Sequence, residues 1–411
     1  MARIAVIVSN PCTGDARVIK MAQAAHAAGH EVHIFATQGL GSKHFETKRG
    51  ITYHRLEWKM GRALMAYWPL KLVGLLSRPF ARLLAMGMTP YAKYAVFRDI
   101  FASEVAKFKP DIIHAHDLIC LPAGHAAAEM CGAKLVYDAH ELEVHRNPPL
   151  SWLQKRKVAR TERKYARKAD AVITVGRFVG KEIAEHVGLK NINIMYNSPV
   201  IADCPNNIRT DIGLDDETPL MLYVGKVTQG RGIQLMLDLL PKLPGVVLAA
   251  VGPSAPGAKE ELEEIAMKMG LFNRFHILPP VPPSQVVNYI KGANIGVISV
   301  QPVTLSYQYC MPNKLFEMSF ADIPIISNKL DEIEEFIEEF GNGVVCDFES
   351  DAHYMSYYIS KMIQSSSDYK LSSFSKVRMN SKYSWATQSN KLMSLYSELI
   401  WDSSRGDEPS S

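Results

Sequence analysis

Lys314 and Glu317 stand three residues apart in the segment YCMPNKLFEMSFADIPIISN, Tyr309 to Asn328. That spacing puts both on one helical face. Pro312 opens the helix, where a missing N–H costs nothing. Ala321-Asp322 closes it, and Ile323-Pro324-Ile325-Ile326 reads as a buried strand. A charged pair ahead of a buried strand suits a ligand site in an α/β fold. Such sites gather at the carboxyl ends of strands, where helix N-termini attract anions. A second segment, Tyr223-Val-Gly-Lys-Val-Thr-Gln-Gly-Arg-Gly-Ile233, ends a strand and opens a helix. Gly225 allows a close turn, and Lys226 and Arg231 bring two cations to the strand's end. Two cations beside a helix start can clamp a phosphate. On these residues alone, a solvated ion pair is an equal reading of the first segment, and a pair of loop cations is the less favoured reading of the second.

Two further clusters follow strands, His114-Ala-His116-Asp117 and Asp138-Ala-His140-Glu141. His114 belongs to its strand and reads as core. His116 caps or bonds a loop, and His140 is the stronger candidate for contact with a substrate. A metal reading of His116, Asp117, His140 and Glu141 is the weaker one. The chain has no D-x-D, which leaves a metal–diphosphate site without its paired carboxylates. Val251-Gly-Pro-Ser-Ala-Pro-Gly257 is not G-x-G-x-x-G, and no G-x-x-x-x-G-K-[ST], H-E-x-x-H or G-x-S-x-G occurs.

The elements that must carry these groups alternate. Arg3–Ser9, Glu31–Ala36, Asp111–Ala115, Lys134–Asp138, Ala171–Val175 and Asn193–Met195 read as buried strands with helices between them. The polar stretch Ile201 to Thr218 reads as a linker. Strands resume at Leu220–Val224, Val246–Val251, Arg274–Ile277, Ile295–Ser299, Ile323–Ser327 and Gly343–Cys346. The expectation is α/β, with two doubly wound domains facing a cleft. One spans residues 1–204 and the other 205–384. A final helix at about 385–401 packs back on the first, and a polar tail fills 402–411.

The chain has 411 residues, of which 47% are apolar and 21% charged, with net charge +4. These values fit a globular protein of two or three domains. The six cysteines include no C-x-x-C pair and suit buried thiols in a reducing compartment. The N-terminus enters a strand at once, and no apolar run of about 18 residues exists to span a membrane. The reading is cytoplasmic. The charge is uneven: Lys59 to Arg98 holds seven basic residues and no acidic one, interleaved with Tyr67, Trp68 and Phe80. Lys155 to Lys168 holds eight basic residues against Glu162 alone. Basic stretches mixed with Trp and Leu suit the surface of an anionic membrane. A helical hairpin and a solvated helix face are the structural alternatives. No nucleic-acid-binding motif is evident.

Taken in order, these segments resemble family 4 of the retaining glycosyltransferases, which have the GT-B fold of two Rossmann-like domains. The resemblance runs from Arg3 to about Trp401. It is carried by Gly14-Asp-Ala-Arg-Val-Ile-Lys20, Ala28-Gly-His-Glu-Val32, His116, Asp138-Ala-His-Glu141, Ala169–Val175 and Asn197-Ser-Pro199. It continues through Gly225-Lys226, Arg231-Gly232, Pro312–Glu317 and Tyr383-Ser-Trp385. The resemblance implies transfer of a sugar from a nucleotide-sugar to a glycan or lipid-linked acceptor, with the anomeric configuration retained. It implies donor contacts from Gly14, Gly225, Lys226, Arg231, Asn313, Lys314, Leu315 and Glu317. Glu317 would hold the ribose, Lys226 and Arg231 would carry the diphosphate, and Gly14 would let its loop approach. His140, Lys226 and Arg231 would be catalytic, and His116, Asp117 and Glu141 would face the acceptor. No metal and no cofactor is expected. The family often has two Glu separated by seven residues, and Tyr309 stands where the first would be. The expected setting is envelope, capsule or exopolysaccharide assembly, on the inner face of the cell membrane through residues 59–98 and 155–168. A sugar-nucleotide epimerase of the same architecture and a non-catalytic transferase subunit are the alternatives.

Overall fold

The computed structural model describes residues 1–58, 78–348 and 352–405, with the backbone alone at 78–92, 352–353 and 402–405. Lys59, Arg62, Lys71, Tyr67, Trp68 and the tail beyond 405 lie outside the described residues. The chain divides into two compact units, Met1–Met195 with Ser389–Ser411, and Tyr196–Gln388.

The first unit is built on an eight-stranded sheet of β1 (Arg3–Ile7), β2 (Glu31–Thr37), β3 (Phe45–Lys48), β4 (Ile51–Leu56), β5 (Ile112–His116), β6 (Lys134–Ala139), β7 (Ala171–Thr174) and β8 (Asn193–Ile194). Their order is β3-β4-β2-β1-β5-β6-β7-β8. Strands β5 and β7 are buried along their whole length, and continuous apolar runs are what a sheet covered on both faces requires. The β3–β4 hairpin was not expected. It is the antiparallel edge of an otherwise parallel sheet. Its strands lack a continuous apolar run: β4 alternates buried and half-buried residues. Its turn is Arg49-Gly50, both with positive φ (53° and 77°), the backbone a tight hairpin needs.

The second unit carries β9 (Leu220–Val224), β10 (Val247–Val251), β11 (Phe275–Leu278), β12 (Ile295–Ile298), β13 (Ile325–Ser327) and β14 (Gly343–Val345), all parallel. Their order, β11-β10-β9-β12-β13-β14, is the doubly wound order of a dinucleotide-binding domain. The expected linker is partly structured. It contains the helix Ile208–Ile212, capped by Asn207. The buried Arg209 ties that helix to its own unit, donating to the Gly292 carbonyl and to Asn294 Oδ1, both at 2.8 Å.

In each sheet the strand order reverses once, between β1 and β5 and between β9 and β12. Connections leave in opposite directions there, which opens a crevice at the strands' carboxyl ends. The last helix, Trp385–Arg405, supplies buried Leu392 and Tyr396 to the first unit.

Candidate functional site

At the reversal of the second sheet, β9 ends in Tyr223 and Val224, and the chain turns at Gly225 with φ 132°. Lys226 stands exposed on this turn, and its carbonyl accepts the Tyr223 hydroxyl at 3.0 Å. Arg231 is exposed too, with its carbonyl bonded by Ser299 Oγ at 2.6 Å from just past β12. Gly232 caps the next helix, Ile233–Leu239, with φ 78°. A Cβ there would fall 2.3 Å from that of Ser299, so only glycine lets the loop lie against β12.

The helix Asn313–Phe320 meets this turn. Pro312 takes its N-cap position, extended at φ −71° and ψ 147°. Lys314 lies half-buried with its ammonium 3.9 Å from the centre of the Tyr223 ring, a cation–π contact. A Cβ on Gly225 would lie 3.4 Å from Lys314 Nζ. Burial of the ammonium first, then the Arg231 charge, pull the Lys314 pKa down to about 7 against the pull of Glu317 and the Cys310 thiol. Arg231, Lys314, Glu317 and Gly225 therefore converge. Asn313 accepts the Asn197 amide at 2.7 Å. Leu315 is fully buried, and its N–H donates to the Pro312 carbonyl at 3.0 Å, which anchors the helix start.

At the reversal of the first sheet stands a buried charge network. Asp138, at the end of β6, is fully buried. Arg17, on the helix Ala16–Ala27 after β1, donates to both its oxygens at 2.9 and 2.8 Å and to the Met195 carbonyl at 2.9 Å. Three imidazoles surround the same carboxylate: His116 Nδ1 at 3.2 Å, His140 Nε2 at 3.5 Å and His114 Nε2 at 3.7 Å from Oδ2. Burial opposes ionisation of Asp138. Arg17, His140 and the adjacent imidazoles of His114 and His116 outweigh it and hold the carboxyl well below its ordinary range.

His140 is half-buried and bridges this network to Asp117, with Nδ1 3.2 Å from Asp117 Oδ1 and Nε2 3.0 Å from His116 Nδ1. Burial lowers its pKa, but Asp117 and Asp138 outweigh burial and leave it raised. Asp117 reaches that position from a left-handed backbone, φ 65°, at the first residue of the helix after β5. A non-glycine residue held there is strained by local structure, and such strain gathers at functional sites. Glu141 is half-buried and its carboxyl is raised by burial and by Asp117. His116, expected to face an acceptor, is fully buried, and burial and His114 push its pKa down to about 3. Its Nδ1 lies 3.0 Å from His140 Nε2 and 3.2 Å from Asp138 Oδ2. Gly14 is exposed in its loop with open space where a Cβ would stand.

Sequence reasoning did not single out Arg17, Asp138, Glu143 or Tyr396 as site residues. Burial, then Asp117 and Glu141, raise the Glu143 carboxyl to about 7. Tyr396 lies 2.6 Å from His114 Nδ1. The Arg and Asp were visible inside quoted motifs, but their pairing across 121 residues was not. His114, His116 and Asp138 present possible metal-ligand atoms within 4.8 Å of one another. The Arg17 guanidinium donates to both oxygens of the same carboxylate and offsets its charge.

Two family descriptions match the chain: Glycosyltransferase Family 4 over residues 16–198 and Glycosyl transferases group 1 over residues 206–376. Together they span most of it, and the chain belongs to the family 4 glycosyltransferases with the GT-B fold. It is 23% identical over 257 residues to the D-inositol 3-phosphate glycosyltransferase of Xylanimonas cellulosilytica, covering 58% of this chain and 60% of that one. It is 30% identical over 175 residues to sulfoquinovosyl transferase SQD2 of Arabidopsis thaliana, covering 40% and 34%. The chain thus spans less than two thirds of the length of these curated relatives. Among solved structures, sucrose-phosphate synthase from Thermosynechococcus elongatus superposes with TM-score 0.73 at 16% identity, over 98% of this chain and 100% of that one. Anabaena HepE in complex with UDP-glucose superposes with TM-score 0.66 at 14% identity, over 97% and 100%.

Proposed function

We propose that the chain transfers a sugar from a nucleotide-sugar to a glycan or lipid-linked acceptor, with retention and without a metal. The observation that carries the reading is the convergence of Arg231, Lys314, Glu317 and Gly225 at the reversal of the second sheet. An anionic leaving group needs fixed positive charge as the sugar–phosphate bond breaks, and Arg231 and Lys226 are exposed for that task. Glu317, one turn along the helix, is the acceptor for ribose hydroxyls. A related fold that holds UDP-glucose supports a nucleotide-sugar as donor.

His140 is the first-unit group suited to the reacting region, since it is half-buried, its pKa is raised by Asp117 and Asp138 against burial, and its Nε2 lies 3.0 Å from His116 Nδ1. The acceptor is proposed to lie at an anionic membrane surface in envelope or polysaccharide assembly. The support is the exposed basic face of the helix Trp152–Ala166, where Arg156, Arg160, Arg163 and Lys164 are all exposed. No helix among the described residues is long and apolar enough to cross a membrane.

The test is a panel of UDP-, GDP- and ADP-sugars read by thermal shift, because a ligand that binds only the folded protein raises its melting temperature. One family of donors is expected to shift the midpoint, and Arg231→Ala to remove most of the shift. No shift with any donor would sink the reading. Incubation with the stabilising donor alone then separates a transferase, which leaves the sugar unaltered or slowly hydrolysed, from an epimerase, which changes it.

A further inference from the structure

We propose that Lys314 is the ammonium that meets the donor's diphosphate, and that it takes up a proton as the donor binds. The inference rests on the donor reading above and adds a residue role and a proton to it.

The geometry fixes where this ammonium points. Its position over the Tyr223 ring and against Gly225 holds it at the turn that ends β9. Tyr223 is itself fixed, since its hydroxyl is spent on the Lys226 carbonyl. The groups facing Lys314 come from four places: Tyr223 from β9, Arg231 from the following loop, Cys310 from the segment after the helix Leu305–Gln308, and Glu317 from its own helix. Burial keeps the Tyr223 phenol and the Cys310 thiol neutral, with both pushed up to about 12. The charged neighbours are the Arg231 guanidinium and the Glu317 carboxylate, with the buried Glu332 carboxylate beside Cys310. Lys314, Arg231 and the exposed Lys226 bring three basic side chains to the loops where the sheet's order reverses. Basic side chains gathered at a strand's carboxyl end suit an anion.

Proton uptake follows from the same contacts. Burial and Arg231 hold the empty-site Lys314 near neutrality, down to about 7. Near pH 8 such an amine is partly deprotonated. Two phosphate charges within contact favour the charged form and raise its pKa again. Binding therefore draws a proton from solution. The donor's affinity strengthens as pH falls from about 9 to about 7 and levels off below that. Arg231 cannot supply this behaviour, because a guanidinium stays protonated throughout the range.

Calorimetric titration of the full chain tests it, with UDP, GDP and ADP as probes at pH 8 in two buffers of different ionisation heat. The terminal phosphate of each probe ionises near pH 6 and adds little at pH 8. A bound nucleotide is expected to bring in a measurable fraction of a proton at pH 8, and much less at pH 6. Lys314→Met is expected to bind more weakly with no uptake. Lys314→Arg, a cation that does not titrate here, is expected to bind without uptake and guards against loss of folding in the first variant. Binding by the wild type with no buffer dependence overturns the inference and leaves the donor reading standing. Uptake that persists in Lys314→Arg overturns it as well. No binding by any of the three nucleotides overturns the donor reading, and the inference with it.

Discussion

At the scale of single residues, the first unit concentrates its charge on Asp138. Arg17 and Asp138 form a buried pair whose side chains are 4% and 0% exposed. Breaking such a pair leaves an uncompensated charge and costs about 3–5 kcal/mol. Arg17→Ala should lower unfolding free energy by that order in urea denaturation, and a loss under 1 kcal/mol would contradict the burial. The pH dependence follows in sign. A carboxyl held below its ordinary range stabilises the fold above that range and gives the stability up as pH falls through it. Without Arg17 the Asp138 carboxyl rises, so acid unfolding should begin at higher pH in the variant. Asp117 is tested separately. It is the first of the two carboxylates that raise His140 against burial, so Asp117→Asn should move the His140 titration to lower pH. Histidine NMR reads this without any substrate, and an unmoved His140 resonance would count against the pair.

At the scale of elements, the turn from β9 into the helix Ile233–Leu239 is governed by contact with β12. Gly232→Ala would drive a methyl into Ser299 at a positive φ, so the loop must lift and carry Arg231 with it. Nucleotide binding should fall at least tenfold while the melting temperature drops only a few degrees, and equal binding would show the loop to be tolerant. The same elements show what a sequence discloses. The second-unit strands are legible because each is a run such as Leu220–Val224, buried throughout. The pairing of Lys314 with Glu317 on one face is legible from spacing. The contact of Lys314 with Tyr223, 91 positions away, is not, because it depends on how β9 and a later helix meet. The β3–β4 hairpin escaped notice for a local reason: an edge needs no continuous apolar run. The burial of His116 was not legible either, since its residue type suggests chemistry while its place is the end of a strand buried along its length.

At the scale of the whole molecule, both sheets reverse order once and both clusters sit at the reversal. The chain solves the same geometric problem twice, with histidines and carboxylates in one unit and cations in the other. The first unit also needs the end of the described chain. Leu392 and Tyr396 are buried in it, and Tyr396 bonds His114 inside β5. Truncation after Gln388 should therefore spare the unit Tyr196–Gln388 and unravel the other. Limited proteolysis should leave a protected fragment from the second unit alone, and survival of both would refute the dependence. This arrangement has a consequence for the nascent polypeptide. About two hundred residues separate Met195 from Tyr396, and at ~5–20 residues per second the ribosome needs tens of seconds to make them. During that interval the earlier-made half waits unfinished while the later-made half can complete itself. The order in which the halves mature is then the reverse of the order in which translation begins them.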